Sequence, residues 1–379
     1  MLFLDITDLP QWFAHFKRVS GVQRVSIEAV RGIHQLPDWG LAWFDQAYGQ
    51  WNVITPKGMA AIHVAILNGD YSVFQHENIA SHSEKAQFSN VVLYSVGMNW
   101  SIPNCEHFYQ FKQVGRGNKL IVYFHDLIPF THPHLVGAEF VRHWGEFLRK
   151  IFSVADGVCC STVVTKRKME HLSRWGITVP PVSVATYGLD HVALASTDVA
   201  KESAIYVPDA DRYLVSFGTI DVRKNQHALL APWKELMAGR TRQNWKLVLI
   251  GRVVDKRVDS FRNEKSILFL ENTGDPEMHA IIANANGVLL PTLAEGFCFP
   301  AFESLALGLS PVVTNLAEIR EVGQNDLGYF KSLASDDVQR EMFRMLETGD
   351  GKRSMSTEVP CFGRYTWREF IRSLEHVAC

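Results

Sequence analysis

The stretch that decides the fold is Pro291-Thr-Leu-Ala-Glu295-Gly296-Phe297-Cys298-Phe299-Pro300-Ala-Phe-Glu303-Ser-Leu-Ala-Leu-Gly308. A short apolar run, Gly287–Leu290 (GVLL), leads into it, and Pro311–Thr314 (PVVT) follows it. It therefore reads as strand, loop, helix, strand, with the helix beginning near Pro300, because proline suits a first helical turn. Backbone N–H groups at such a helix start form an anion site. Gly296 would let a ligand approach the backbone closely. Glu295 stands before the helix and Glu303 is expected in its first turn. Two carboxylates so placed can grip two ends of one polyhydroxylated, phosphorylated ligand. For either glutamate alone, a solvated loop residue or a helix-dipole partner is the plainer reading. Their combination in this setting favours the ligand.

Outward from this stretch, the same alternation recurs. Lys119–Phe124, Gly157–Ser161, Tyr213–Gly218, Lys246–Gly251 and Ser266–Leu270 are short and nearly all apolar. They lack two-residue alternation, as expected of central strands buried on both faces of a parallel sheet. Between them lie helical periods. Gly137–Ala155 puts Phe140, Val141, Trp144, Phe147, Leu148, Ile151 and Phe152 on one face. A helix is expected from Asp275, with Asp275 as N-cap and Pro276 in the first position. Tyr365–Val377 gathers Trp367, Phe370, Ile371 and Leu374 on one face. The fold class is α/β, doubly wound. At 379 residues the chain is too long for one ordinary core, so two domains are expected, with a polar linker around Thr197–Arg212.

A net charge of −2 argues against bulk nucleic-acid binding. The six cysteines show no CxxC pair, which fits a reduced, cytosolic chain. The first residues lack the basic region of a signal peptide, and no apolar run reaches 18 residues. Asp209-Ala210-Asp211 is a formal D-x-D, but it precedes a strand and sits in the linker. Gly115-Arg-Gly117-Asn-Lys119 also precedes a strand, so it fails the dinucleotide fingerprint and reads as a turn. No zinc spacing and no nucleophile elbow occur.

The Glu295–Gly308 stretch resembles the Glu-x7-Glu signature of family 4 of the glycosyltransferase classification, usually E-G-F-G-x-P-x-x-E-A-x-x-x-G. Cys298 stands where glycine is usual, and Ser304 where alanine is. Gly218-Thr219-Ile-Asp-Val-Arg223-Lys224-Asn225 resembles the family's G-x-x-x-x-R-K-N/G segment. His125-Asp126-Leu-Ile-Pro129 resembles its H-D-x-x-P segment. Ser20-Gly21-Val22-Gln23-Arg24 is similar to its T-G-I-x-R glycine loop, and Tyr187-Gly188-Leu189-Asp190 to its Y/P-x-G-x-D segment. The resemblance runs from about residue 18 to residue 323.

The resemblance implies the GT-B fold, two Rossmann-like doubly wound domains facing a central cleft. Residues 1–205 would form the acceptor side, with a C-terminal helix, 362–379, crossing back onto it. Residues 206–361 would bind the nucleotide sugar. It implies a retaining transfer of a hexose from a nucleoside-diphosphate sugar, GDP-mannose first, to a glycan or polyprenyl-linked glycan, as in bacterial polysaccharide mannosyltransferases. The catalytic group would be His125, Glu295, Lys224 and Arg223. The donor would also meet Gly21, Gly218, Thr219, Gly296, Phe297, Cys298, Phe299 and Glu303. A leaving diphosphate needs cations, and cations at a helix start are otherwise disfavoured, so an anionic ligand accounts for Arg223 and Lys224. No cofactor and no metal are expected. The protein is expected in the cytoplasm, with Arg149-Lys150 and Lys166-Arg167-Lys168 as candidate contacts to the inner membrane face, or simply as solvated helix faces. A sugar-nucleotide epimerase or hydrolase on the same fold, and a non-catalytic nucleotide-sugar-binding module, remain alternatives.

Overall fold

A computed structural model describes residues 1–16, 19–34, 36–102, 105–190, 210–240, 243–349, 351–352 and 359–378. The chain divides into two compact units. One comprises Met1–Pro133, Gly137–Gly188 and the segment from Tyr365 onward. The other comprises His134–Val136 and Leu189–Arg364. The boundary expected at residues 205/206, most of the Thr197–Arg212 linker and Asp209 of the D-x-D lie outside the described residues.

The first unit is built on an eight-stranded sheet: β1 (Leu2–Asp5), β2 (Trp39–Asp45), β3 (Gln50–Ile54), β4 (Ser83–Lys85), β5 (Val92–Ser95), β6 (Lys119–Phe124), β7 (Gly157–Cys160) and β8 (Val182–Val184). Their spatial order is β4-β3-β2-β1-β5-β6-β7-β8. From β2 to β8 neighbouring strands are parallel. The β2–β3 and β3–β4 pairs are antiparallel and extend one edge. The direct β2–β3 connection departs from the strand-helix alternation expected from the sequence, whereas helices Pro56–Leu67 and His76–Ser81 lie between β3 and β4.

The second unit holds β9 (Arg212–Phe217), β10 (Trp245–Ile250), β11 (Ile267–Leu270), β12 (Gly287–Leu290), β13 (Val312–Val313) and β14 (Gly328–Tyr329). The order is β11-β10-β9-β12-β13-β14, all parallel. Both sheets are doubly wound. The chain builds outward from one central strand, then returns to its other side. The order reverses between β1 and β5 in the first sheet and between β9 and β12 in the second. Ligands of open α/β sheets bind at the C-terminal strand ends beside such a reversal.

Helix Ala138–Val154 covers the first sheet with Trp144, Phe147, Leu148, Ile151 and Phe152, three of which meet the Phe124 ring. Phe140, assigned to that face by its spacing, sits in the first turn, outside the core cluster, and is exposed. Helix Asp275–Asn284 starts at Asp275, but Gly274 is its N-cap. Helix Trp367–Ala378 buries Trp367, Phe370, Ile371 and Leu374. It packs within the first unit against helix Gly21–Ile33, β6 and β7. Each such side chain contributes roughly 1.5–3 kcal/mol of burial.

Candidate active site

The second sheet's reversal brings two loops together. The first leaves β9 at Gly218. The second leaves β12 at Pro291. Gly218 has a φ of 109°, a conformation that strains any residue with a Cβ. The turn it makes delivers Thr219 through Asn225. Asp221 Oδ1 then accepts the Lys224 N–H at 2.7 Å. Asn225, itself left-handed at φ 56°, donates its side-chain N–H to the Pro291 carbonyl at 3.2 Å. Leu293 N donates to the Arg223 carbonyl at 2.8 Å. The loops are therefore fixed to one another before any ligand enters.

Glu295 is the centre of this arrangement. Its side chain is 7% exposed. Lys224 Nζ donates to Oε1 at 2.6 Å, and Arg223 Nη1 donates to Oε2 at 3.0 Å and to the Ala294 carbonyl at 3.0 Å. Thr292 donates its hydroxyl to Oε1 at 2.8 Å. Burial alone would raise the Glu295 pKa. The charges of Lys224 and then Arg223, with the hydrogen bonds of Lys224 and Thr292, outweigh it and hold the carboxyl below its usual value. Two cations share one carboxylate, so the group keeps one surplus positive charge for an incoming anion.

Helix Phe299–Ala306 begins immediately beyond, with Cys298 as its N-cap and a proline in the first turn. Cys298 is left-handed (φ 72°, ψ 61°). That is a glycine conformation, which accounts for the glycine usual at this place in the signature. The thiol is buried, and burial, then the charge of Glu295, pushes its pKa up to about 12. Phe297 packs against Phe299 and Phe302 and supports the loop from within. Glu303 corrects the expectation of a first-turn residue. It is the fifth residue of the helix, beyond the first turn. It is half-buried, and its carboxylate makes no hydrogen bond or ion pair among the described residues. Glu295 has its hydrogen-bonding capacity engaged, whereas Glu303 has its capacity to spare.

The first unit carries the other expected residues. Gly21 opens helix Gly21–Ile33 and is exposed, so the glycine segment is the first turn of a helix rather than a loop. His125 follows β6. Its Nε2 faces the Gly97 carbonyl at 3.4 Å and its Nδ1 lies 2.6 Å from the Tyr187 hydroxyl. A carbonyl only accepts, so Nε2 carries the proton and Nδ1 accepts from Tyr187. Burial pushes the His125 pKa down to about 4, so the ring is neutral at pH 7. The Gly97 carbonyl thus fixes the tautomer, and Tyr187, quoted in the sequence only as part of a motif, holds the ring through Nδ1. Thr292, Asp221 and Asn225 were likewise given no role by sequence. Their work is hydrogen bonding across loops, which no local pattern reveals.

Among the described residues no group of three or more His, Cys, Asp or Glu is placed to hold a metal ion. Nor is any helix of the described residues long and apolar enough to cross a membrane. Lys166, one of the candidate lipid contacts, pairs with Glu170 at 3.7 Å.

Residues 200–355, which contain this whole second-unit site, match the family described as Glycosyl transferases group 1. This part of the chain is therefore similar to the group 1 glycosyl transferases. The chain is 22% identical over 232 residues to the serotype-specific mannosyltransferase WbdA of Escherichia coli, covering 57% of this chain and 28% of WbdA. It is 22% identical over 216 residues to the O-antigen chain mannosyltransferase RfbU of Salmonella typhimurium, covering 54% of each. The matched region thus spans about a quarter to a half of these relatives' lengths. Among solved structures, Anabaena HepE superposes with a TM-score of 0.61 at 12% identity, covering 100% of this chain and 98% of that one. A trehalose 6-phosphate synthase from Burkholderia multivorans gives 0.57 at 13% identity, covering 84% and 77%. Both likenesses concern the fold, and with the two sheets described above they make it GT-B.

Proposed function

We propose that the chain is a retaining glycosyltransferase that moves a hexose from a nucleoside-diphosphate sugar to a hydroxyl of a growing glycan. GDP-mannose is the proposed donor. A surface polysaccharide, free or carried on a polyprenyl diphosphate, is the proposed acceptor. The observation that carries the reading is the Arg223–Lys224–Glu295 group at the β9/β12 reversal, with its surplus positive charge beside a helix start. The choice of a mannosyl group and of a surface glycan is supported by the names of the mannosyltransferase relatives, and the choice of GDP by the sequence resemblance.

In the proposed reaction Lys224 and Arg223 stabilise the leaving diphosphate, together with N–H groups near Phe297. The bond from the sugar's anomeric carbon to the phosphate oxygen breaks. The acceptor hydroxyl forms its new bond on the same face, and its proton passes to the departing phosphate oxygen. Glu303 holds the ribose hydroxyls with its unengaged carboxylate. Glu295 takes hydroxyls of the transferred sugar as the diphosphate draws Lys224 and Arg223 toward itself. His125 is neutral and oriented by Tyr187, which suits hydrogen bonding to a sugar hydroxyl. Fixed cations supply the charge neutralisation, so no metal is required in this scheme. The enzyme would act at the cytoplasmic membrane face, with Arg149, Lys150 and Lys166–Lys168 toward the lipid.

The test is product analysis with a panel of sugar nucleotides, with and without oligomannoside acceptors. Acceptor-dependent release of the nucleoside diphosphate, with an α-linked product by NMR, supports the reading. Release that ignores acceptor supports a hydrolase instead, and isomerised donor an epimerase.

A further inference from the structure

The first sheet has its own reversal, between β1 and β5, and the reading above makes no use of what sits there. Asp5 ends β1. Asp8 lies three residues on, and both carboxylates are buried, at 4% and 5% exposure. Asp5 accepts from Ser95 Oγ at 2.7 Å, from Thr7 N at 2.9 Å and from the Thr7 hydroxyl. Asp8 accepts from Gln23 Nε2 at 3.3 Å, from Ser26 Oγ at 3.1 Å and from the Met98 N–H. None of these partners is a cation.

The partners of Asp8 lie on separate segments that bear on the site. Gln23 and Ser26 belong to the first turns of helix Gly21–Ile33, and the Ser20 hydroxyl in turn donates to Gln23 Oε1. Met98 follows Gly97. A Cβ placed on Gly97 would lie 2.2 Å from the Asp8 carboxylate, so the backbone at 97 rests directly on Asp8. The Gly97 carbonyl is the group that faces His125 Nε2. One buried carboxylate thus joins the Gly21 turn to the support of His125. His107 lines the same small cavity as Asp5 and Asp8, is 2% exposed, and its Nδ1 has no partner among the described residues.

We propose that Asp8 is a positioning residue of the acceptor side, holding the Gly21 turn and the Gly97–His125 contact in one arrangement through Gln23, Ser26 and Met98. The inference rests on the transferase reading and extends it to a residue that does not touch substrate. Burial and then the charge of Asp5 raise the Asp8 pKa to about 7. The other titratable groups facing the pair do not change over that range. Burial lowers His107 to about 3 and His125 to about 4. Above pH 7 the Asp8 charge enters this buried pair with no cation to offset it, and the arrangement loosens.

The test uses the full chain, with Asp8→Asn, Gln23→Ala and Ser26→Ala. Asp8→Asn keeps the size and cannot ionise. It should raise acceptor KM about fivefold, the loss expected when one acceptor oxygen of a neutral hydrogen-bonded group becomes an amide N–H2. It should also abolish the fall in kcat/KM that wild type shows above pH 7. Nucleoside-diphosphate affinity, measured by calorimetry, should fall by a smaller factor than acceptor KM rises. Gln23→Ala and Ser26→Ala, which leave Asp8 in place, should each raise acceptor KM by a smaller factor. Amide hydrogen exchange at residues 20–26 and 97–99 should quicken in all three. An Asp8→Asn enzyme with wild-type acceptor KM, wild-type pH profile and unchanged exchange at those amides overturns the proposal. If wild type binds no nucleoside diphosphate and transfers nothing, the transferase reading fails. The exchange data then decide the positioning role by themselves.

Discussion

The two strand-order reversals hold the same kind of group in opposite electrostatic settings. At the β9/β12 reversal Glu295 is buried against Lys224 and Arg223 and stays ionised. At the β1/β5 reversal Asp5 and Asp8 are buried among hydroxyl and amide donors, and their pKa values rise. Topology makes both places candidate ligand sites, and charge complement distinguishes them. The second unit's site carries surplus positive charge and suits a diphosphate. The first unit's pair is closed off, its donors spent on the two carboxylates, and suits support of neighbouring segments rather than direct ligand contact.

The largest expected effect is at Lys224. Lys224→Ala should lower kcat and kcat/KM together by about 2.7–4 kcal/mol, as for loss of one preorganised charge at a leaving group. A near-normal kcat in steady-state assays would return Lys224 to a purely structural partnership with Glu295.

The pH dependence should set the two reversals against each other. Asp8 has a raised folded pKa, so its stabilising contribution is full below about 4 and is lost as pH rises through about 7. Glu295 has a lowered folded pKa, so its contribution is present above about 4.5 and is lost as pH falls further. The Asp8 effect is of the order of a few kcal/mol. Hydrogen exchange followed between pH 4 and pH 8 should show residues around β1 and β5 becoming less protected as pH rises. Residues 291–298 should show no such loss. Parallel behaviour of the two regions would remove the contrast.

The smallest effect concerns Cys298. Cys298→Gly and Cys298→Ala both delete the thiol, but only glycine adopts φ 72° without strain. Glycine should be the more stable of the two by about 1 kcal/mol in denaturant titrations. Equal stabilities would mean the loop relaxes away from the left-handed conformation.

The second unit was more legible in sequence than the first. Its strands are nearly all apolar because both faces are covered, and the β12 segment Gly287–Leu290 matches its expected bounds. In the first unit β1, β2 and β5 were not singled out. Their runs contain Asp5, Trp43 and Ser95, polar or bulky residues that break a simple apolar pattern. Those residues face a reversal or a ring cluster, which only the assembled sheet explains. Glu295, Lys224 and Arg223 were legible as candidates because their residue types and spacing are unusual beside a helix start. Their mutual ion pairing was not, since 71 residues separate Lys224 from Glu295. Asp8 was invisible for a related reason. Its partners are 15 and 18 residues away, and an aspartate near a chain start has no distinguishing spacing.

The central claim is that the second unit grips a nucleotide sugar at two ends, Glu303 on the ribose and Glu295 on the sugar. Calorimetric titration of Glu303→Ala and Glu295→Ala with the bare nucleoside diphosphate, beside their transfer rates, tests it most directly. Glu303→Ala should lose about 1.5–3 kcal/mol of affinity for the bare diphosphate, as for a charge-assisted hydrogen bond. Glu295→Ala should bind that ligand nearly as wild type does and still fail in transfer. Loss of the bare diphosphate in Glu295→Ala with retention in Glu303→Ala would reverse the two ends, and normal binding and turnover in both would contradict the account.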